Sequence, residues 1–142
     1  MLSAPAYDSN NIFAKILRGE MPAHRIAEDN AALAFMDIMP RTDGHVLVIP
    51  KAPARNIFDI TPEALAAMQA MVKRIAIATS TAMAADGVSI WQANEEAGGQ
   101  VVFHFHTHVL PRWEGVELRR PEGQMADSGI LKAQAEKIRA AL

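Results

Sequence analysis

Three histidines alternate with other residues in the stretch GGQVVFHFHTHVLPR, at positions 104, 106 and 108. They are three of the five histidines in 142 residues. Side chains alternate across a strand, so His104, His106 and His108 share one face. Phe103, Phe105, Thr107 and Val109 then take the other face, the core side. Two chemistries suit such a row of imidazoles. The first is metal chelation by His-x-His. At ~3.3 Å per residue the outer two Cα atoms of a straight strand lie ~13 Å apart, too far for all three to meet on one ion. Two of them together with His45 remain a candidate ligand set. The second chemistry is covalent catalysis. A neutral imidazole is a good nucleophile near pH 7 because its ordinary pKa is ~6.5. It attacks phosphorus when its other ring nitrogen is held by an acceptor and the phosphate charge is countered.

The loop before the histidines suits an anion. Gly98 and Gly99 let the backbone come close, and Asn94 and Gln100 add neutral hydrogen-bonding groups.

Several elements must position these residues. Ser9, Asn10 or Asn11 can cap a short helix running to about Leu17, with Ile12, Phe13, Ile16 and Leu17 on one face. Residues 24–29 and 31–37 read as a strand pair turning at Asp29-Asn30. Residues 45–50, HVLVIP, read as a strand rich in β-branched side chains. Thr61, Pro62 and Glu63 open a long helix as cap, first residue and dipole partner. Its apolar period runs through Leu65, Met68, Val72, Ile75 and Thr79 towards Gly87, which is placed to end it. Strands follow at 88–94 and 101–110, and residues 126–142 read as a C-terminal helix. Residues 1–8 read as a loose tail. The expected architecture is α+β: a five-stranded antiparallel sheet with two main helices on one face.

Composition bounds the function. Half the residues are hydrophobic and 21% are charged, as in an ordinary globular protein of one domain, here residues 1–142. A net charge of −2 argues against a coat for nucleic-acid polymers but not against binding one nucleotide. The chain has no cysteine, so no thiolate site forms. MLSAPAYDSNN lacks the basic-then-apolar run of a signal peptide, and Lys73 and Arg74 interrupt the longest helical stretch. A cytoplasmic protein with no membrane contact is the expectation.

HFHTHVL resembles the His-φ-His-φ-His-φ-φ pattern of the histidine-triad (HIT) family, with Thr107 in a slot that is usually hydrophobic. NIFAKILRGEMPAHRIAEDNAALAFMDIMPRTDGHVLVIPK resembles the N-terminal half of that family's Hint branch. The likeness covers about residues 10–112. It implies a protein that binds purine nucleotides, such as AMP conjugates, and hydrolyses bonds at the α-phosphate through a nucleotidyl-histidine. His106 would be the nucleophile, with His104, His108 and His45 in support. Asp37 would accept hydrogen bonds from the ribose hydroxyls. Ile12, Phe13, Ile16, Phe35 and Ile38 would form the base pocket, or simply core. Asn94 and Gln100 would reach the phosphate or leaving group.

The resemblance also implies a homodimer, no cofactor and a preference for purine phosphoramidates. A dinucleoside-polyphosphate hydrolase of the Fhit type, a nucleotide-binding module with little turnover, and a metal-binding protein are the competing readings. Two departures stand out. Val101 occupies a position where many relatives carry Ser or Thr, whose hydroxyl contacts the phosphate region. NIFAK also lacks the Cys-x-x-Cys zinc ligands of some bacterial relatives, so no structural zinc is expected there. His24 reads as a surface histidine.

Overall fold

The structure, a computed structural model, describes residues 5–121 and 123–142. Its elements are α1 (Ile12–Leu17), β1 (Arg25–Glu28), β2 (Ala32–Met36), β3 (Val46–Pro50), α2 (Pro62–Ala82), β4 (Gly87–Trp91), β5 (Thr107–Arg112) and α3 (Ser128–Ala140), with a 3-10 turn at Glu96–Gly98. The five strands form one antiparallel sheet in the order β1-β2-β3-β5-β4. The expected α+β architecture is therefore present. No helix among the described residues is long and apolar enough to cross a membrane.

The alanines of β2 do not make it helical, because its side chains sort by face. Ala32, Ala34 and Met36 join Val46 and Val48 of β3 under α2 and α3, where Met68, Met71, Val72, Ile75, Leu131 and Ile138 cover them. Small residues there let two helices lie close to the sheet. Leu33 and Phe35 point the other way and meet Phe13 and Ile16 of α1 together with Leu47 and Ile49. Both central strands are thus buried on both faces, which explains their nearly continuous apolar sequence. The β1–β2 turn is held by Asp29, whose carboxylate accepts from the N–H groups of Ala31 and Ala32.

Two expectations about element ends need correction. α2 starts as expected, with the Thr61 side chain accepting from the Ala64 N–H, but it stops at Ala82 rather than near Gly87. Ala84 takes the left-handed conformation, with φ 49°. Its N–H then donates to the Thr81 carbonyl, and that of Ala85 donates to the Ser80 carbonyl. This is a Schellman end with alanine at the position where glycine is usual. Gly87 instead opens β4.

The second correction concerns the histidine strand, expected over residues 101–110. β5 starts only at Thr107. The last pairs are Val48 with Thr107 on one side and Trp91 with His108 on the other, so neither neighbour extends a ladder to residues 101–106. The Pro50 carbonyl is taken by the His104 ring instead, and the Phe105 N–H donates to the Ala54 carbonyl. Phe105, Thr107 and Val109 nonetheless face the core, as alternation requires. Phe103 does not; the Arg55 guanidinium stacks on its ring at 4.0 Å.

Of the tail expected over residues 1–8, residues 1–4 lie outside the described residues. Tyr7 is half-buried.

Candidate active site

Strand pairing assembles the site. Asp37 follows β2, His45 precedes β3, and the Asp37 N–H donates to the His45 carbonyl at 3.0 Å. β5 flanks β3 on the other side, with His108 opposite Leu47. Asp37, His45 and His108 consequently form a row across three strands, on the face that carries α1. His106 lies next to His108, with ring centroids 5.0 Å apart, and the edge of Phe13 meets His106 at the same separation.

The hydrogen bonds decide where each imidazole carries its proton. The backbone N–H of Arg41 donates to His45 Nδ1 at 3.0 Å. Neutral His45 therefore holds its proton on Nε2, which lies 2.9 Å from His108 Nδ1. His108 Nδ1 must accept, so neutral His108 carries its proton on Nε2. On the other branch, His106 Nδ1 lies 2.7 Å from the His104 carbonyl, which can only accept. Its proton sits on Nδ1, and Nε2 keeps a free lone pair. His104 Nε2 likewise faces a carbonyl, that of Pro50, at 2.8 Å. Its Nδ1 is therefore an acceptor, and the Tyr7 hydroxyl donates to it at 2.6 Å.

Burial keeps these rings neutral. Desolvation pushes His45 down to about 3, with the nearby Arg41 charge adding to it. It pushes His108 to about 3 and His104 to about 4. His106 is also lowered by burial, against the opposing pull of the His104 carbonyl and Asp37. Near neutral pH the cluster thus offers one unprotonated nitrogen, His106 Nε2, and one N–H at His108 Nε2.

The remaining expected site residues divide. Phe13, Ile16 and Phe35 pack together, with Phe13 edge-on to Phe35 at 5.5 Å. Ile12 and Ile38 stay exposed at 38% and 42%, free to line a pocket rather than fill a core. Asp37 is half-buried; one carboxylate oxygen accepts from the Met39 N–H, and the other lies 3.5 Å from His45 Nε2. Gln100 requires a correction. It is buried, and its amide makes bonds to Arg55, Asn56, Glu95 and Val102. Both donors and both acceptor sites are used, so Gln100 braces the loop and has nothing left for a phosphate. Asn94 accepts from the Ile57 N–H and exchanges bonds with Gln92.

Sequence reasoning passed over several residues here. Glu95 adopts φ 62° and ψ 165°, a conformation favoured by glycine. It is held by a two-pronged bond from Arg55, at 2.7 and 2.9 Å, and by Asn56. Tyr7 was hidden because its partner lies 97 residues away in sequence, and the Arg41 main chain because its bond to the His45 ring depends on how the loop between them turns. Asp37, His45 and His108 each offer one ligand atom within 4.8 Å of the others, the geometry of a three-ligand metal set. Only two of these residues, His45 and His108, belong to the set considered from sequence. Their facing nitrogens already serve each other.

Comparison with known proteins agrees with this architecture. The family model described as HIT domain matches residues 18–115. An uncharacterized HIT-like protein of Mycobacterium tuberculosis H37Rv is 45% identical over 114 residues, covering 80% of this chain and 79% of that protein. The adenylylsulfatase HINT3 of Arabidopsis thaliana is 36% identical over 115 residues, covering 77% of this chain and 58% of its own length. The crystal structure of a Hit-like protein involved in cell-cycle regulation from Bartonella henselae superposes with a TM-score of 0.91 at 48% identity, covering 96% of this chain and all of that one.

Proposed function

The chain belongs to the HIT family, and from that premise we propose that it is a nucleotide-binding hydrolase that cleaves purine nucleoside 5′-monophosphate derivatives at the α-phosphate. The observation that carries the reading is the state of His106: its Nδ1–H is committed to the His104 carbonyl, and Nε2 is neutral and without a partner among the described residues. That is the form a nucleophile needs.

With a phosphoramidate, the His106 Nε2 lone pair attacks the α-phosphorus. The P–N bond to the leaving amine breaks. As the bond breaks the bridging nitrogen takes up one proton from solvent, so that it leaves as a neutral amine rather than an amide anion, and the proton released by water in the next step balances this uptake. The nucleotidyl-imidazolium keeps its Nδ1–H on the His104 carbonyl, which stabilises the positive charge. A water molecule then attacks phosphorus, the P–Nε2 bond electrons return to the ring, and one water proton goes to solvent. The products are the nucleoside monophosphate and the amine. The His108 Nε2–H donates to a phosphate oxygen, and His45 and Arg41 hold it in that role. Asp37 accepts from the ribose hydroxyls, and Ile12, Phe13, Ile16, Phe35 and Ile38 take the base. The edge strand β4 leaves Ile90 and Trp91 exposed, which supports pairing of two copies there.

The test is a side-by-side assay of AMP and GMP amidates, adenylyl sulfate and diadenosine polyphosphates, with intact-mass detection of a nucleotidyl adduct. The expected outcome is an adduct that His106→Ala lacks, with amidates turning over fastest. A chain that hydrolyses these substrates without any adduct would overturn the covalent reading. Faster turnover of the diadenosine polyphosphates would move it to the Fhit type.

A further inference from the structure

The chemistry above leaves the chain's single tyrosine without a role. Tyr7 precedes α1 and is half-buried, while its neighbours Ala6 and Asp8 are exposed. Its ring meets His104 edge-on, with centroids 5.5 Å apart, and its hydroxyl reaches His104 Nδ1 at 2.6 Å. His104 is 1% exposed, so Nδ1 sits where bulk water does not reach. Because Nε2–H is spent on the Pro50 carbonyl, the Tyr7 hydroxyl is the donor. The ring of His104 is therefore held at both nitrogens, from two segments distant in sequence. Its own carbonyl receives the Nδ1–H of His106.

We propose that Tyr7 is a positioning residue for the reaction: it locks the tautomer and tilt of His104, and through the His104 carbonyl it aims the His106 lone pair. Without the hydroxyl, His104 keeps one bond, to Pro50, and its ring can rock about it. Nδ1 is then a buried acceptor without a donor, an unfavourable state that favours rearrangement. The carbonyl that orients the nucleophile moves with the residue. A frame of this kind matters more for the attacking step than for holding a nucleotide, because attack needs close alignment of the reacting atoms. The proposal rests on His106 being the nucleophile.

The variant Tyr7→Phe keeps the ring contact and removes only the hydroxyl. Adduct formation from an AMP amidate should fall about tenfold, the scale of one hydrogen bond in the attacking step, while AMP affinity stays within about twofold. Nitrogen-15 spectra of the imidazoles should show the His104 Nδ1 resonance shifted, with exchange between orientations. In a His104→Ala background, adding Tyr7→Phe should cost nothing more. Unchanged adduct formation, a loss confined to AMP affinity, or an equal further loss without His104 would each overturn the proposal. A wild-type chain that forms no adduct would overturn the nucleophile assignment and this proposal together. Tyr7→Phe matching a reactive wild type would overturn this proposal alone.

Discussion

His106 donates from Nδ1 to the backbone carbonyl of His104, only two residues away, across 2.7 Å. A regular strand would direct that carbonyl to a neighbouring strand. Here residues 101–106 leave the ladder, and the carbonyl turns to the His106 ring. Truncating His106 to Ala removes the attacking lone pair but leaves the pocket made by α1 and β2. Turnover should fall by several orders of magnitude while AMP still binds. Stopped-flow rates and calorimetric AMP titration check this. Retention of more than about a tenth of wild-type kcat would mean another group attacks.

Asp37 supplies the second prediction. Among the described residues only one of its carboxylate oxygens has a close donor, the Met39 N–H at 2.8 Å; the other is 3.5 Å from His45. A carboxylate with a spare acceptor suits vicinal hydroxyls. Asp37→Ala should weaken AMP far more than 2′,3′-dideoxy-AMP, each lost bond to the charged acceptor being worth about 1.5–3 kcal/mol. Calorimetry with both ligands decides, and equal losses would remove Asp37 from the ribose site.

Much of the fold that frames this site was legible in the sequence, for identifiable reasons. HVLVIP and the 3.6-residue period of α2 are strong local patterns, and local patterns survive folding. Alternation also put Phe105, Thr107 and Val109 on the core side. The start of β5 was not legible, because it depends on where β3 and β4 run out as partners. Gln100 and Arg55 were opaque for a similar reason. An amide beside two glycines reads as an anion ligand, and only its partners show that Arg55, Asn56 and Glu95 occupy it. The tautomers were beyond the sequence altogether, since they follow from main-chain groups at Arg41, Pro50 and His104.

Acid should destabilise the fold through the same cluster. His45 and His108 are held near 3 and His104 near 4, whereas in the unfolded chain each returns to about 6.5. Well above pH 6.5, by about pH 8, both states are neutral at these residues and no proton linkage arises. Below it the unfolded chain takes up protons that the folded one refuses, so stability falls as pH falls towards 4. Each ring can cost up to about 1.4 kcal/mol per pH unit in that window. Urea melts at pH 8, 6.5 and 5 should show a small loss from these groups between the first two, about 0.4 kcal/mol per ring because the unfolded imidazoles are half protonated at 6.5, and a much larger loss at the third. Equal loss in a His45→Phe, His108→Phe double variant would place the acid sensitivity elsewhere.

Val101 is 65% exposed, so replacing it disturbs little packing. The variant Val101→Ser introduces the hydroxyl that the family resemblance leads one to expect at this position. If that group meets the phosphate region only in the transition state, a gain of about 1.4 kcal/mol gives roughly tenfold in rate. Phosphoramidate and phosphoanhydride rates are to be compared in both proteins after matching their melting temperatures. Identical rates and ratios would mean that the departure at this position is silent.

Thr107 occupies the triad slot that is usually hydrophobic, and its side chain faces the core at 1% exposure. Among the described residues its hydroxyl has no hydrogen-bond partner. A buried hydroxyl without a partner loses its hydration and gains nothing in return. Valine has nearly the same shape and no polar atom, so Thr107→Val removes that penalty without opening a cavity. Stability should rise by about 1 kcal/mol, the lower end of the penalty for such a group. In urea melts the midpoint should move up at constant slope, since the surface exposed on unfolding is nearly unchanged. A lower midpoint would show that the hydroxyl is bonded in solution, for instance to a buried water, and that the threonine stabilises the turn into β5.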